Sequence, residues 1–374
     1  MNPQFLRRRV AVIGAGIFGV SSAVHLARMG ARVTLITEER PASGASGRSL
    51  SWLNSARMRS AEYHQLRIIG IDRYRTLAAQ LPSATWLRFD GALTWDADNE
   101  ANAISKVYAH ERRIGYDARL LRADEVAAVT PGVNGHVIPS QGAIFNPGEG
   151  WVDLPSLIDL LLREFSALGG TLVSEAGRAS INVVNGRVAG VKAANGTYIE
   201  ADAALLAVGP SVPQVVAEVG YRIPDASPIG LLVRTKPIDV ALRAVLNTPR
   251  VAVRPTPTGA LVLDSGWSER EVGRRADGTF EVKDSTVQGL LTEASAVLEG
   301  NPKLALDSYG VGRKPIPGDG EPVFGELPGI SGYHIAFSHS GATLGLIAGE
   351  LLADEIVTGE AHPMLEPFRP GRFS

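Results

Sequence analysis

The 374-residue chain contains no cysteine. That excludes structural disulfides, thiolate metal sites, iron–sulfur clusters and any flavin attached through a cysteine sulfur. Redox chemistry here would need a borrowed cofactor, and no metal site is expected. An excess of charge of one sign is also missing. The 37 basic and 39 acidic residues leave a net charge of −2, too little to draw nucleic acid or an anionic membrane. No apolar run is long enough to span a bilayer, and there is no internal repeat or low-complexity tract.

Hydrophobic residues make up 45% of the chain and charged residues 20%, the balance of a globular protein. The length exceeds one ordinary core and implies two domains. Arg7-Arg8-Arg9 followed by the apolar stretch Val10 to Val20 superficially resembles a secretion signal. The stretch carries glycines at fixed spacing, however, leads into a helix-like segment and lacks a small-residue cleavage site. It reads as core structure, and a cytoplasmic protein is expected.

Arg9 to Ile13 is a short β-branched run, typical of a buried parallel strand. It enters Gly14-Ala15-Gly16-Ile17-Phe18-Gly19, then a helical pattern closed by Gly30, then the strand-like Arg32 to Ile36. Each glycine has a physical role: Gly14 for the tight turn, Gly16 for backbone approach to a pyrophosphate, and Gly19 for close helix–strand packing. The helix start would offer N–H donors and a positive dipole end to phosphates. Strand, turn, helix and strand in this order point to a dinucleotide-binding Rossmann unit. The slot that usually holds a ribose-binding carboxylate falls on Thr37, with Glu38 and Glu39 beyond. Either Glu38 reaches back or Thr37 makes a weaker contact.

Three further segments complete a pattern. Ser43-Gly44-Ala45-Ser46-Gly47-Arg48-Ser49 is a small-residue loop after the second strand. Gly142 to Leu154 leads to a helix and to Gly169–Val173, followed by Ala203 to Ser211 with a turn at Gly209. Near the C-terminus, Gly312-Arg313-Lys314-Pro315 precedes Asp319-Gly320-Glu321-Pro322. Tyr333 to Phe337 then runs through Ser338-His339-Ser340-Gly341-Ala342-Thr343 into a helix ending near Thr358. With the first unit, these resemble the D-amino-acid oxidase, glycine oxidase and sarcosine oxidase superfamily of flavoproteins over the whole chain.

The resemblance implies an α/β fold: a Rossmann-type, glutathione-reductase-like FAD-binding domain with a discontinuous antiparallel-sheet α+β substrate domain. Residues 1–80, 145–215 and 305–374 would form the first, and 81–144 with 216–304 the roof over the flavin. Within the roof, helices are expected at Ala101 to Ile114 and Asp284 to Leu298, with short strands between Trp86 and Trp95. FAD would be non-covalent, since the Ser43 to Ser49 loop has no histidine and the chain no cysteine. Implied cofactor contacts are Gly14, Gly16, Ile17, Phe18, Gly19, Thr37, Glu38, Ser43, Ala45, Ser46, Arg48, Ser49, Val173, Gly209, Ser340, Gly341, Ala342 and Thr343.

The implied reaction is oxidation of the C–N bond of a small amine or amino acid by hydride transfer to flavin N5, giving an imine that hydrolyses. Protein groups would supply orientation and electrostatics. Many relatives bind a substrate carboxylate through the arginine of a G-x-R-P motif, a slot that Lys314 occupies here after Arg313. Lys314 binds the carboxylate as a point charge, or Arg313 turns inward, or the substrate lacks a carboxylate and Lys314 serves the flavin or oxygen. The plain alternative makes both surface cations beside Asp319 and Glu321. His339 is the third catalytic candidate, against a structural role at a helix start. Trp52, Tyr63, His64 and Arg67 are candidate cavity residues, with packing favoured for Trp52 and Tyr63. The electron acceptor is oxygen or another species. Rival readings are a dehydrogenase subunit of an opine- or glycine-oxidising hetero-oligomer, and a non-catalytic flavin-binding protein. A homo- or hetero-oligomer is compatible with either.

Overall fold

The computed structural model describes residues 8–374; residues 1–7, including Arg7 of the basic triplet, lie outside the described residues. The apolar run Arg9–Ile13 is a central strand, in parallel register with Arg32–Ile36 on one side and Ala203–Leu206 on the other. The six-stranded sheet runs Val323–Glu326, Tyr333–Phe337, Ala203–Leu206, Arg9–Ile13, Arg32–Ile36, Thr171–Val173. Only its edge strand Val323–Glu326 is antiparallel. A parallel sheet must be covered on both faces, and the alternation of side chains shows how. Val10, Val12, Val33 and Leu35 pack with the helices Ile17–Arg28, Leu154–Ala167 and Gly341–Thr358. Ala11, Ile13, Ile36 and Leu206 face the three-stranded antiparallel sheet Ala179–Val184, Arg187–Ala193, Tyr198–Glu200. This is the Rossmann-type α/β arrangement with an antiparallel sheet on one face.

A second, eight-stranded sheet runs Leu306–Arg313, Ile229–Thr235, Leu261–Asp264, Ala252–Pro255, Val245–Asn247, Ala92–Thr94, Ala143–Asn146, Arg119–Leu121. It is antiparallel except where Ala92–Thr94 pairs with Val245–Asn247. The helix Asp284–Val297 covers it, burying Leu290, Leu291 and Ala294 against Val233 and Leu263. Leu306–Arg313, expected with the cofactor-binding segments, pairs with Ile229–Thr235 along its whole length and belongs to this sheet. The first expected helix is shorter than its pattern, Ile104–Arg113. Asn99 and Asn102 accept bonds from the N–H groups of Ala101 and Ile104 at 2.9 and 3.0 Å, holding the chain in turns before the helix begins. Between Trp86 and Trp95 the chain forms two strands in different sheets, Leu87–Arg88 and Ala92–Thr94, separated by Gly91 at φ +81°.

The helices that open after the two end motifs lie against each other. A Cβ built on Gly345 would meet Ile17 Cγ1 at 2.3 Å, and one on Gly349 would meet Ser21 Oγ at 2.2 Å. This close contact sets the starts of Ile17–Arg28 and Gly341–Thr358 on one cavity. Among the described residues, no helix is long and apolar enough to cross a membrane.

Candidate active site

A cavity of about 770 Å³ lies between the two sheets. Its floor is the first turn. Gly14 has φ +104°, and a Cβ there would meet Ala207 O at 2.4 Å, so only glycine lets the chain turn here. Gly16 caps the helix Ile17–Arg28 without a side chain, and the first turn holds no acid. The open N–H groups and positive helix end therefore face the cavity. Ser46 reaches across to accept a bond from Ile17 N at 3.1 Å, fastening the small-residue loop to the turn. A bare, acid-free helix start ringed by small residues fits a pyrophosphate.

The expected cofactor contacts Gly14, Gly16, Ile17, Phe18, Thr37, Glu38, Ser43, Ala45, Ser46, Arg48, Ser49, Gly209, Ser340, Gly341, Ala342 and Thr343 all line this cavity. Two lie behind it. A Cβ on Gly19 would meet Gly14 O at 1.8 Å, so this glycine serves packing. Val173 accepts the Thr37 N–H at 3.0 Å and holds the end of the second strand. Arg48 crosses the edge of the roof, where a Cβ on Gly312 would meet its Nε at 2.8 Å.

The roof sheet contributes Asn247, Ala252, Asp264, Arg313 and Lys314. Both cations of the Arg313-Lys314 pair are already engaged. Arg313 bonds to Asp225, and to Pro210 O at 3.4 Å. Lys314 pairs with Glu269, and with Asp264 at 3.4 Å. Burial alone would lower the Lys314 pKa, but the two carboxylates outweigh it and raise it. Neither residue sits with Asp319 and Glu321, which bond to Arg372 and Ser60.

Arg59 and Arg67 bring cations to the cavity, and among the described residues neither forms a salt bridge. Arg67, from the helix Ala61–Gln80, is buried and bonded to Asn54 O at 2.7 Å, Asn54 Oδ1 at 2.9 Å and Tyr63 Oη at 3.3 Å, and also to Ser340 Oγ. Arg59 precedes that helix, lies over the Tyr63 ring with its guanidinium 5.6 Å from the centroid, and bonds to Asn54 Oδ1 at 3.4 Å. Its buried Nε has no partner. Burial first, and then the Arg67 charge, push its pKa down to about 10. Two adjacent cations on the cavity wall, neither in a salt bridge, suit an anionic ligand.

His339 lines the same cavity. Its ring is exposed because the cavity opens onto it, yet protein surrounds it otherwise, and this burial pushes its pKa down to about 4. It is a neutral imidazole at pH 7, with no side-chain hydrogen-bond partner among the described residues. Of the other cavity candidates, Trp52 lines the wall. Tyr63 is buried and braces Arg67 and Ser340. His64 lies outside the lining, with Nδ1 2.8 Å from Ser55 Oγ.

Sequence reasoning missed Arg59, Asn54, Asp264 and Glu269. A basic pair around Met58, just before a Ser60 helix cap, was the available signal for Arg59. Nothing in the sequence marks Asp264 and Glu269 as partners of Lys314.

The profile described as DAO, FAD dependent oxidoreductase, matches residues 9–355. The chain belongs to this family. The flavoenzyme is 26% identical to the glycine oxidase of Pseudomonas aeruginosa, across 97% of this chain and 98% of that one. It is 25% identical to the D-amino acid dehydrogenase of Cereibacter sphaeroides, across 94% and 92%. The crystal structure of iminodiacetate oxidase from Chelativorans sp. superposes with a TM-score of 0.79 at 25% identity, covering 97% and 99%. The protein is thus an FAD-dependent oxidoreductase, and the cavity built on Gly14, Gly16 and Ser46 suits that cofactor.

Proposed function

We propose that the flavoenzyme oxidises the C–N bond of a small amino acid. The observation that carries this reading is the Arg59–Arg67 pair, two cations with no salt bridge among the described residues, on the cavity that also holds the neutral His339. FAD, when bound, supplies the two-electron acceptor that takes a hydride from the substrate's α-carbon.

The residues that would hold FAD are the turn Gly14 to Phe18, Ser43 to Ser49, Thr37 with Glu38, Gly209, and the helix start Ser340 to Thr343. The helix Gly341–Thr358 begins without an acid in its first turn, so its positive end stabilises negative charge at that side of the cavity. Arg59 takes the substrate carboxylate, because its guanidinium retains free donors, whereas Arg67 is fixed by Asn54, Tyr63 and Ser340 and adds its field. His339 accepts a hydrogen bond from the substrate amine. With a pKa near 4 it binds a proton weakly, so it orients the neutral amine and does not store the proton. The amine proton leaves to water, the α-hydrogen leaves as hydride, and water hydrolyses the imine to a carbonyl and an amine. In this reading the eight-stranded sheet is the substrate roof and the six-stranded sheet the cofactor body. Arg313 and Lys314 shape the roof through their acid partners.

Amino-acid substrates are also what the names of the glycine oxidase and D-amino acid dehydrogenase relatives specify. The test is anaerobic addition of glycine, N-methylated amino acids, iminodiacetate and D-amino acids to the purified enzyme. Bleaching of the flavin peaks by an amino acid, and not by the matching amine without a carboxylate, is the expected result. Bleaching by plain amines alone would overturn the proposal. Repeating the reaction in air separates oxidase from dehydrogenase.

A further inference from the structure

Behind the arginine pair lies a fully buried carboxylate that the reaction above does not use. Glu149 accepts bonds from Trp52 Nε1 at 2.8 Å, Ser55 N at 3.3 Å and the Tyr116 hydroxyl. Between the anchors Trp52 and Ser55 lies Asn54, next to Leu53; its backbone and side-chain oxygens hold Arg67 at 2.7 and 2.9 Å, and its Oδ1 also accepts a bond from Arg59. Thr343, at the helix start on the cavity, fastens the same segment by donating to Trp52 O at 3.2 Å and accepting from Asn54 N at 3.3 Å. The segment that aims both arginines is thus pinned from behind by Glu149.

We propose that Glu149 is a positioning residue for the anion site, which holds Trp52–Ser55 in place and whose charge state sets how tightly Arg59 and Arg67 grip a carboxylate. The inference rests on the reading that Arg59 receives the substrate carboxylate. The charged and titratable groups around Glu149 are Glu111, Arg59, Arg67, Tyr116 and His64. Glu111 is itself buried and accepts bonds from Arg57 N at 2.7 Å and Asn146 Nδ2 at 2.9 Å. His64 stands edge-on to Tyr116, ring centroids 5.4 Å apart. Burial pushes the Glu149 pKa up to about 8; the Glu111 charge adds to this, and the bonds from Tyr116, Trp52 and Ser55 oppose it.

The sign follows. Below that pKa Glu149 is neutral, and the two arginines keep their full attraction for an anion. Above it a carboxylate behind them offsets their charge and repels a second carboxylate in front. Binding a substrate anion therefore favours the protonated acid, and affinity falls as pH rises through about 8. Tyr116 does not titrate in that window, since burial and then Glu149 raise its pKa well above the usual value. His64 is lowered from its ordinary value, chiefly by burial, and titrates below the window.

The experiment titrates the holoenzyme with propionate, which has a carboxylate and no amine, and follows the flavin absorbance between pH 7 and pH 9. Wild-type affinity should fall roughly threefold or more over that range. Glu149→Gln should flatten the profile and bind more tightly than wild type at pH 9. Tyr116→Phe removes a donor to the ionised acid, so it should move the fall to higher pH, and it serves if Glu149→Gln does not fold. A flat wild-type profile, or one unchanged in both variants, overturns the inference. Propionate binding that is indifferent to Arg59→Met overturns the reading of Arg59 instead, so the two failures are distinct.

Discussion

Arg59 and Lys314 bring the same formal charge to one cavity, and their neighbours decide which one a substrate meets. Lys314 is sandwiched by Asp264 and Glu269; an incoming carboxylate there would face two like charges for one cation. Among the described residues, Arg59 makes no salt bridge; it bonds to the side-chain oxygen of Asn54 and lies over the Tyr63 ring. Arg59→Met should therefore raise the KM for an amino-acid substrate roughly 10- to 100-fold, the worth of one charged hydrogen-bonded contact. Lys314→Met should raise it by less, because that cation is already spent on its own acids. Steady-state kinetics of the two variants on one substrate checks the order, and a larger effect at Lys314 would reverse the assignment. The slot of Lys314 was legible in the sequence, since a cation after Gly312-Arg313 follows the family pattern. Its partners were not. Asp264 lies fifty residues earlier on another strand, and no local pattern joins the two.

Among the elements, the contact between Ile17–Arg28 and Gly341–Thr358 brings the opposite ends of the chain to one site. Both motifs could be read from glycine spacing because each is local: a strand, a tight turn and a helix start. Their meeting could also be anticipated from the resemblance, but the surface that enforces it could not, because Gly345 and Gly349 look like ordinary helix residues. Gly349→Ala tests it. The new methyl would meet Ser21 Oγ at 2.2 Å and Ser21 C at 2.8 Å, and the second of these is backbone that a rotamer change cannot move. Overpacking of this kind costs about 1–3 kcal/mol. A Tm lower by several degrees is expected, together with weaker FAD retention, because parting the helices also spreads the two N-termini. Calorimetry and the ratio of flavin to protein absorbance read the two effects. A variant with unchanged Tm and flavin content would show that the helices can separate without cost. The extent of Leu306–Arg313 illustrates the opposite limit. Its residues suit a strand anywhere, and only its pairing with Ile229–Thr235 assigns it to the roof.

For the whole molecule, the cavity lies at the junction of two sheets with separate hydrophobic cores. Its walls come from both, the glycine turn and helix starts from one and Asn247, Ala252, Asp264 and Lys314 from the other. An FAD filling this cavity would bridge the two bodies and should contribute to stability far from the chemistry. Binding to the folded state alone stabilises by about 2.7 kcal/mol when free ligand is a hundredfold above Kd. Apo-protein should accordingly melt several degrees lower than holoenzyme, and its Tm should rise with the logarithm of added FAD. The cofactor should also leave cleanly. The chain has no cysteine, and His339, the only histidine lining the cavity among the described residues, is uncharged. Acid precipitation should give a colourless pellet and a yellow supernatant. A yellow pellet would mean a covalent link, and His339 would then be the residue to examine first. A Tm indifferent to FAD, with a clean release, would instead mean that the two sheets hold together without it and that the cofactor rests on the glycine turn alone.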